Sequence, residues 1–248
     1  MDTMKDTINA LKIPKIIHQI WSGNDAPLPK VFQVLGDTWK RDYPEWEYRL
    51  WDEVRMNAFV KEYYPEYEEI YARFPYPIQR WDAIRYLILY RMGGMYVDVD
   101  YESISSIEPL LSGKTCCFSE DPVIHKGNYG EVERYFNNAM MLSTPNHPFM
   151  KKIIESVFQD TREAYDIRSH DYILKTTGPW KVMDVYYQVS EEERQAVYIL
   201  PKEYVTPFDY YQARRFIKER ERSAELENCL KDAYAVHYFF SNWRKQVN

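Results

Sequence analysis

Asp98 and Asp100 stand two residues apart in the run Tyr-Val-Asp-Val-Asp, just after the glycine pair Gly93 and Gly94. In an extended chain, residues two apart share a face, so a strand over residues 95–100 would aim Tyr96, Asp98 and Asp100 one way and bury Val97 and Val99. Two carboxylates so aimed can grip a hard divalent cation through oxygen. That cation can in turn neutralise a diphosphate leaving group. The same pair also suits a solvated strand end or turn, and an isolated Asp-x-Asp does not decide between these.

The residues before the pair narrow the choice. Positions 78–91 (IQRWDAIRYLILYR) read as a helix that stops at the two glycines. Trp81, Ala83, Ile84, Leu87, Ile88 and Leu89 cover so much of its circumference that it must be buried. Asp82 and Arg85 nonetheless sit in it, three apart and on one side. Buried charges are costly unless paired or put to use. They form either a structural ion pair or a donor contact, with the guanidinium on a phosphate or hydroxyl and the carboxylate on sugar hydroxyls.

The elements that must position these groups follow a simple order. Residues 15–21 (KIIHQIW) read as a first strand, 31–41 as a helix, 47–51 as a second strand, and 53–64 as a helix capped by Asp52. This β-α-β-α alternation argues for a parallel sheet with helices on its faces and a ligand beyond the strands' carboxyl ends. Later strands are expected at 115–118, 139–142, 196–200 and 233–239, with helices at 148–165 and 211–224. The chain shows no repeat, low-complexity tract or linker, so residues 1–248 are expected to form a single domain.

Bulk properties exclude some partners. The chain has 248 residues and a formal net charge of −6, so it lacks the basic footprint that neutralises a nucleic-acid backbone. Cys116, Cys117 and Cys229 match neither a disulfide framework nor a zinc spacing, which points to a reduced cytoplasm. The N-terminal run has neither a signal peptide's apolar core nor the length of a membrane span, and a soluble protein is expected. The 23 tyrosines and seven tryptophans suit stacking against flat ligands.

Taken together, IPKIIHQIW, WDAIRYLILYRMGGMYVDVD and HYFFSNW resemble the glycosyltransferase family 32 pattern, over most of the chain. That family includes the yeast initiating α-1,6-mannosyltransferase and bacterial capsular-polysaccharide enzymes, and more distantly the glucosyltransferase domain of clostridial toxins. The resemblance implies a GT-A fold, a Rossmann-like mixed α/β sheet flanked by helices with a small helical elaboration. It implies retaining transfer of a hexose from a UDP or GDP sugar, with Mn2+ or Mg2+; UDP-galactose or UDP-glucose is expected ahead of GDP-mannose. The acceptor would be a glycan or lipid-linked glycan, in bacterial surface polysaccharide synthesis at the inner face of the membrane.

By the same resemblance, Trp21 stacks near the base, Tyr96 lies near base and ribose, and Asp82 and Arg85 contact the donor sugar. Asp98 and Asp100 hold metal and diphosphate, with Asp100 the direct ligand. His237 completes the metal shell, Ser241 and Trp243 close over the diphosphate, and Asn138 lines the sugar pocket, with Thr177 on a loop near the donor. Trp21 and His237 also have plain readings as core residues. The basic side chains of residues 211–224 allow peripheral contact with an anionic membrane or simply a solvated face. Two other classes stay open: a phosphatase or phosphotransferase using Asp98 as nucleophile and Asp100 as acid, and a binding module that keeps the sugar nucleotide without transfer.

Overall fold

The computed structural model describes residues 12–22, 27–159, 166, 167, 169 and 171–240. Eight strands occur in chain order among them: β1 (Ile16–Ile20), β2 (Glu47–Trp51), β3 (Gly94–Val97), β4 (Tyr101–Ser103), β5 (Cys116–Glu120), β6 (Phe136–Ser143), β7 (Tyr198–Leu200) and β8 (Ala235–His237). Six of them make one sheet in the order β2-β1-β3-β6-β5-β7, and β4 pairs with β8 in a two-stranded ribbon.

The sheet is mixed rather than parallel throughout. β1 runs parallel to β2 and to β3, and β5 parallel to β7, while β6 is antiparallel to both β3 and β5. The carboxyl ends of β1, β2, β3, β5 and β7 therefore share one edge with the amino end of β6. Alternation along the strands divides the core: Tyr96, Phe118 and Met141 pack on one face with Ile84, Leu87 and Ile88, whereas Met95, Val97, Cys117, Met140 and Leu142 pack on the other. The Pro77–Met92 helix lies on the Tyr96 face.

Asp52 caps the Glu53–Tyr63 helix as expected, its Oδ1 accepting from the Arg55 N–H at 2.8 Å. The glycine pair is required by its surroundings. Gly93 and Gly94 have φ of +66° and +96°, and a Cβ on Gly94 would stand 2.5 Å from the Ile16 carbonyl oxygen. Only a backbone without side chains can turn from the helix into β3 so close to β1.

Three of the expected elements differ in extent. The strand over residues 95–100 ends at Val97, because after the Asp98 N–H bonds to the Ala139 carbonyl the chain turns back, and the Tyr101 N–H bonds to the Asp98 carbonyl at 3.1 Å. The helix over 211–224 is two helices, Tyr210–Lys218 and Ala224–Cys229, broken where Arg220 adopts φ +55°. The helix starting at Pro148 runs to Val157, and residues 160–165 of its expected length lie outside the described residues. No helix among the described residues is long and apolar enough to cross a membrane.

Candidate active site

The site sits at the shared strand edge, where β3 ends in the Asp98 turn. Tyr96 is buried under the Arg85 guanidinium, which lies 4.6 Å from its ring centre, and its hydroxyl donates to Asp98 Oδ1 at 2.5 Å. Arg85 is fixed on every side. Its Nε donates to the Trp81 carbonyl, its Nη1 to the Asn138 carbonyl at 3.0 Å and to Asp98 Oδ1 at 3.2 Å, and its Nη2 stands 3.0 Å from Asp82 Oδ1.

Asp82 is equally engaged. Asn138 Nδ2 donates to its Oδ1 at 3.1 Å and Thr177 Oγ1 to its Oδ2 at 3.0 Å. Burial pushes its carboxyl up to about 6, against the pull of Arg85. The Asp82 oxygens meet Arg85, Asn138 and Thr177, and 6% of its side chain is exposed. In this arrangement it holds Arg85 in place.

The metal-type cluster is made by the turn and by β8. Asp98, Asp100 and His237 each present a ligand atom, and these atoms all lie within 4.8 Å of one another. They are not on one strand face, as alternation would have it; the turn at 98–100 and the pairing of β4 with β8 bring them together. Asp100 Oδ1 lies 3.1 Å from His237 Nε2, and its Oδ2 accepts from the Phe240 N–H at 2.9 Å. The His237 ring stacks on Tyr101 at 4.3 Å and leans on Phe239 at 4.0 Å.

Burial opposes ionisation of both carboxylates. At Asp98 the neighbouring Asp100 charge adds to it and the pKa is raised; at Asp100 the His237 ring and the Phe240 N–H prevail and it is lowered. Burial disfavours charge on His237 too, yet Asp100 holds its pKa above the usual value. His237 Nδ1 is buried with no partner among the described residues. Two hard carboxylates and an imidazole whose ligand atoms converge fit a divalent cation of the manganese or magnesium type. Asp98 keeps 29% of its side chain exposed, so the cluster is open to an incoming ligand.

Of the other expected site residues, Trp21 stands at the end of β1 on the same edge, half-buried, its ring 5.6 Å from Phe32, which in turn meets Phe240 at 5.5 Å. Ser241 and Trp243 lie outside the described residues. Four participants escaped the sequence reading. Gln19 Nε2 holds the Asp98 carbonyl at 3.2 Å, and the Tyr86 hydroxyl joins Asn138 to the Thr177 carbonyl. Asp121 and His125 adjoin the cluster through Phe239. Gln19 and Tyr86 did leave a signal, since each is a polar group inside an apolar run, where an unpaired hydrogen-bonding atom would be costly.

Residues 29–117 match the family described as "Glycosyltransferase sugar-binding region containing DXD motif". The chain is 31% identical over 150 residues to inositol phosphoceramide mannosyltransferase 1 of Schizosaccharomyces pombe, covering 59% of this chain and 43% of that protein. It is 33% identical over 178 residues to mannosyl phosphorylinositol ceramide synthase CSH1 of Saccharomyces cerevisiae, covering 71% and 43%. The chain thus spans less than half the length of these two relatives. Its fold is similar to that of the PaToxG glycosyltransferase, with a TM-score of 0.53 at 19% identity over 90% of this chain and 89% of the other. The matched region carries the Asp-x-Asp pair and the sheet around it has the GT-A fold, so the chain is similar to the family 32 glycosyltransferases.

Proposed function

We propose that this protein is a retaining, metal-dependent hexosyltransferase that takes its sugar from a nucleotide donor. The convergence of Asp98, Asp100 and His237 beside a fully anchored Arg85 carries this reading. Asp98, Asp100 and His237 would hold the ion. When bound, it supplies positive charge to the donor's diphosphate as the sugar leaves.

The rest is done by the chain's own groups. Arg85 adds a fixed positive charge at the same place, held there by Asp82, Asn138 and the Trp81 carbonyl, so no reorganisation is needed as leaving-group charge develops. The acceptor oxygen bonds to the anomeric carbon on the face from which the phosphate oxygen departs. The acceptor proton passes to that phosphate oxygen, and no enzyme nucleophile is required. Trp21 and Tyr96 are assigned to the nucleoside side and Asn138 to the sugar pocket. Ser241 and Trp243 are assigned to the diphosphate.

The relatives named as mannosyltransferases favour a mannosyl donor over the UDP-galactose or UDP-glucose expected from the sequence. Their names also favour a lipid-linked acceptor over a free glycan. The decisive assay incubates the protein with Mn2+ and GDP-mannose, UDP-galactose or UDP-glucose in turn and measures released hexose and nucleoside diphosphate. Metal-dependent release from one donor, lost in Asp100→Ala, is expected. The proposal fails if no donor is cleaved, or if a simple phosphate ester is hydrolysed instead.

A further inference from the structure

We propose that Val123, Ile124, Tyr210 and Tyr211 form a surface that seats on a lipid bilayer beside the active-site edge. All four are large apolar or amphipathic side chains facing water, with Val123, Ile124 and Tyr211 each about 60% exposed. They come from segments far apart in sequence. The turn Val123–Lys126 follows β5 at the edge that carries the site, and the Tyr210–Lys218 helix arrives much later.

One histidine joins them. His125 Nδ1 is 3.1 Å from Asp121 Oδ1, and the Tyr210 N–H donates to His125 Nε2 at 2.9 Å. That pattern fixes the proton on Nδ1, which donates to the carboxylate. The same ring meets Phe239 edge-on at 4.7 Å, and Phe239 leans on His237. The exposed patch is therefore tied by direct contacts to the metal-type cluster.

Its chemistry suits a membrane interface. Branched aliphatic residues at the tip of a short turn can enter the acyl boundary, tyrosines favour the head-group level, and long cations reach outward from it. The Tyr210–Lys218 helix carries Arg214, Arg215 and Lys218 and no carboxylate. Arg215 is tied to Glu221 and Glu225 and Arg214 stands 3.7 Å from Glu219, while Lys218 is exposed at the rim. A protein seated here would cover the approach to the site, whereas a bilayer would present an acceptor's head group to it. This last step rests on the lipid-linked acceptor proposed above; the surface itself does not.

The test is co-sedimentation of the full chain with vesicles of phosphatidylcholine, and of phosphatidylcholine mixed with phosphatidylinositol. The wild type is expected to sediment with the vesicles. The triple variant Val123→Ser, Ile124→Ser, Tyr211→Ser should lose about tenfold or more in partitioning, as expected when apolar area at an interface is removed. Its metal-dependent donor cleavage in solution should match the wild type. The surface is refuted if the wild type stays in the supernatant with both vesicles or the triple variant binds as well as the wild type. A concentration-dependent dimer abolished by the triple variant would also refute it, by assigning the patch to a second copy. Vesicle binding without cleavage of any sugar nucleotide would leave the surface standing and remove the transferase reading alone.

Discussion

On the Pro77–Met92 helix, Asp82 and Arg85 are surrounded by partners on three elements, and the protein by itself satisfies both charges. Next to them, Asp98, Asp100 and His237 crowd two carboxylates together, leave a buried imidazole nitrogen without a partner among the described residues and keep Asp98 open to solvent. The first cluster is complete without a ligand and the second is not. Stability is thus expected to reside in the helix cluster and chemistry in the turn cluster, with Arg85 serving both through its bond to Asp98.

The largest expected effect separates these roles. Asp100→Asn should lower donor cleavage by about a thousandfold or more, on the order of 4 kcal/mol of transition-state stabilisation. Its melting temperature should fall much less than that of Arg85→Ala, because relief of the like-charge contact with Asp98 offsets part of the lost pairing with His237. A variant that unfolds along with its activity would erase the contrast. Arg85→Ala should instead be costly to the fold, by about 3–5 kcal/mol in chemical denaturation, since it strands the buried Asp82 carboxylate. Near-native stability in that variant would show that Asp82 is not held as described.

A third measurement asks whether the turn cluster is completed by a cation. Mn2+ at about a hundred times its dissociation constant should stabilise the protein by about 2.7 kcal/mol, a shift of several degrees in Tm. Asp100→Ala should abolish the shift and Asn138→Ala should keep it. A shift that survives in Asp100→Ala would place the ion elsewhere.

The smallest effect concerns His18, a buried group outside both clusters. Its Nδ1 accepts from Trp51 Nε1 and its Nε2 faces the Gly93 carbonyl at 3.0 Å. Burial pushes its pKa from 6.5 down to about 4. The unfolded chain therefore binds a proton between those values while the folded protein does not. This stability contribution is complete above pH 6.5 and is lost as pH falls towards 4, by about 3 kcal/mol at most. Stability curves for the wild type and His18→Gln should converge over that window. Parallel curves would mean that the imidazole is already charged in the fold.

Much of the helix cluster was legible in the sequence because a helix has one fixed period. Asp82 and Arg85 at a three-residue spacing inside an apolar segment had to share a side and find partners. Their third and fourth partners, Asn138 and Thr177, appeared only as weak matches, since nothing local ties β6 and the Thr177 loop to that helix. For the turn cluster, the sequence showed the residue types but gave the wrong local geometry. Alternation predicted a strand through Asp100, whereas the backbone turns at Asp98.

By itself, then, the sequence determined the chemistry on offer: a glycine pair that lets the chain pass close to β1, an anchored arginine, and two carboxylates two residues apart. It also determined much of the strand and helix order, because hydrophobic period is a local property, but not β4 or the Pro179–Gln188 helix. Tertiary structure alone decided that β6 runs against its neighbours, so that Asn138 arrives at the same edge as Asp98. It alone brought His237 across 137 positions of chain to Asp100. Contacts of that kind depend on how sheets and ribbons pair, and no sequence period carries that information.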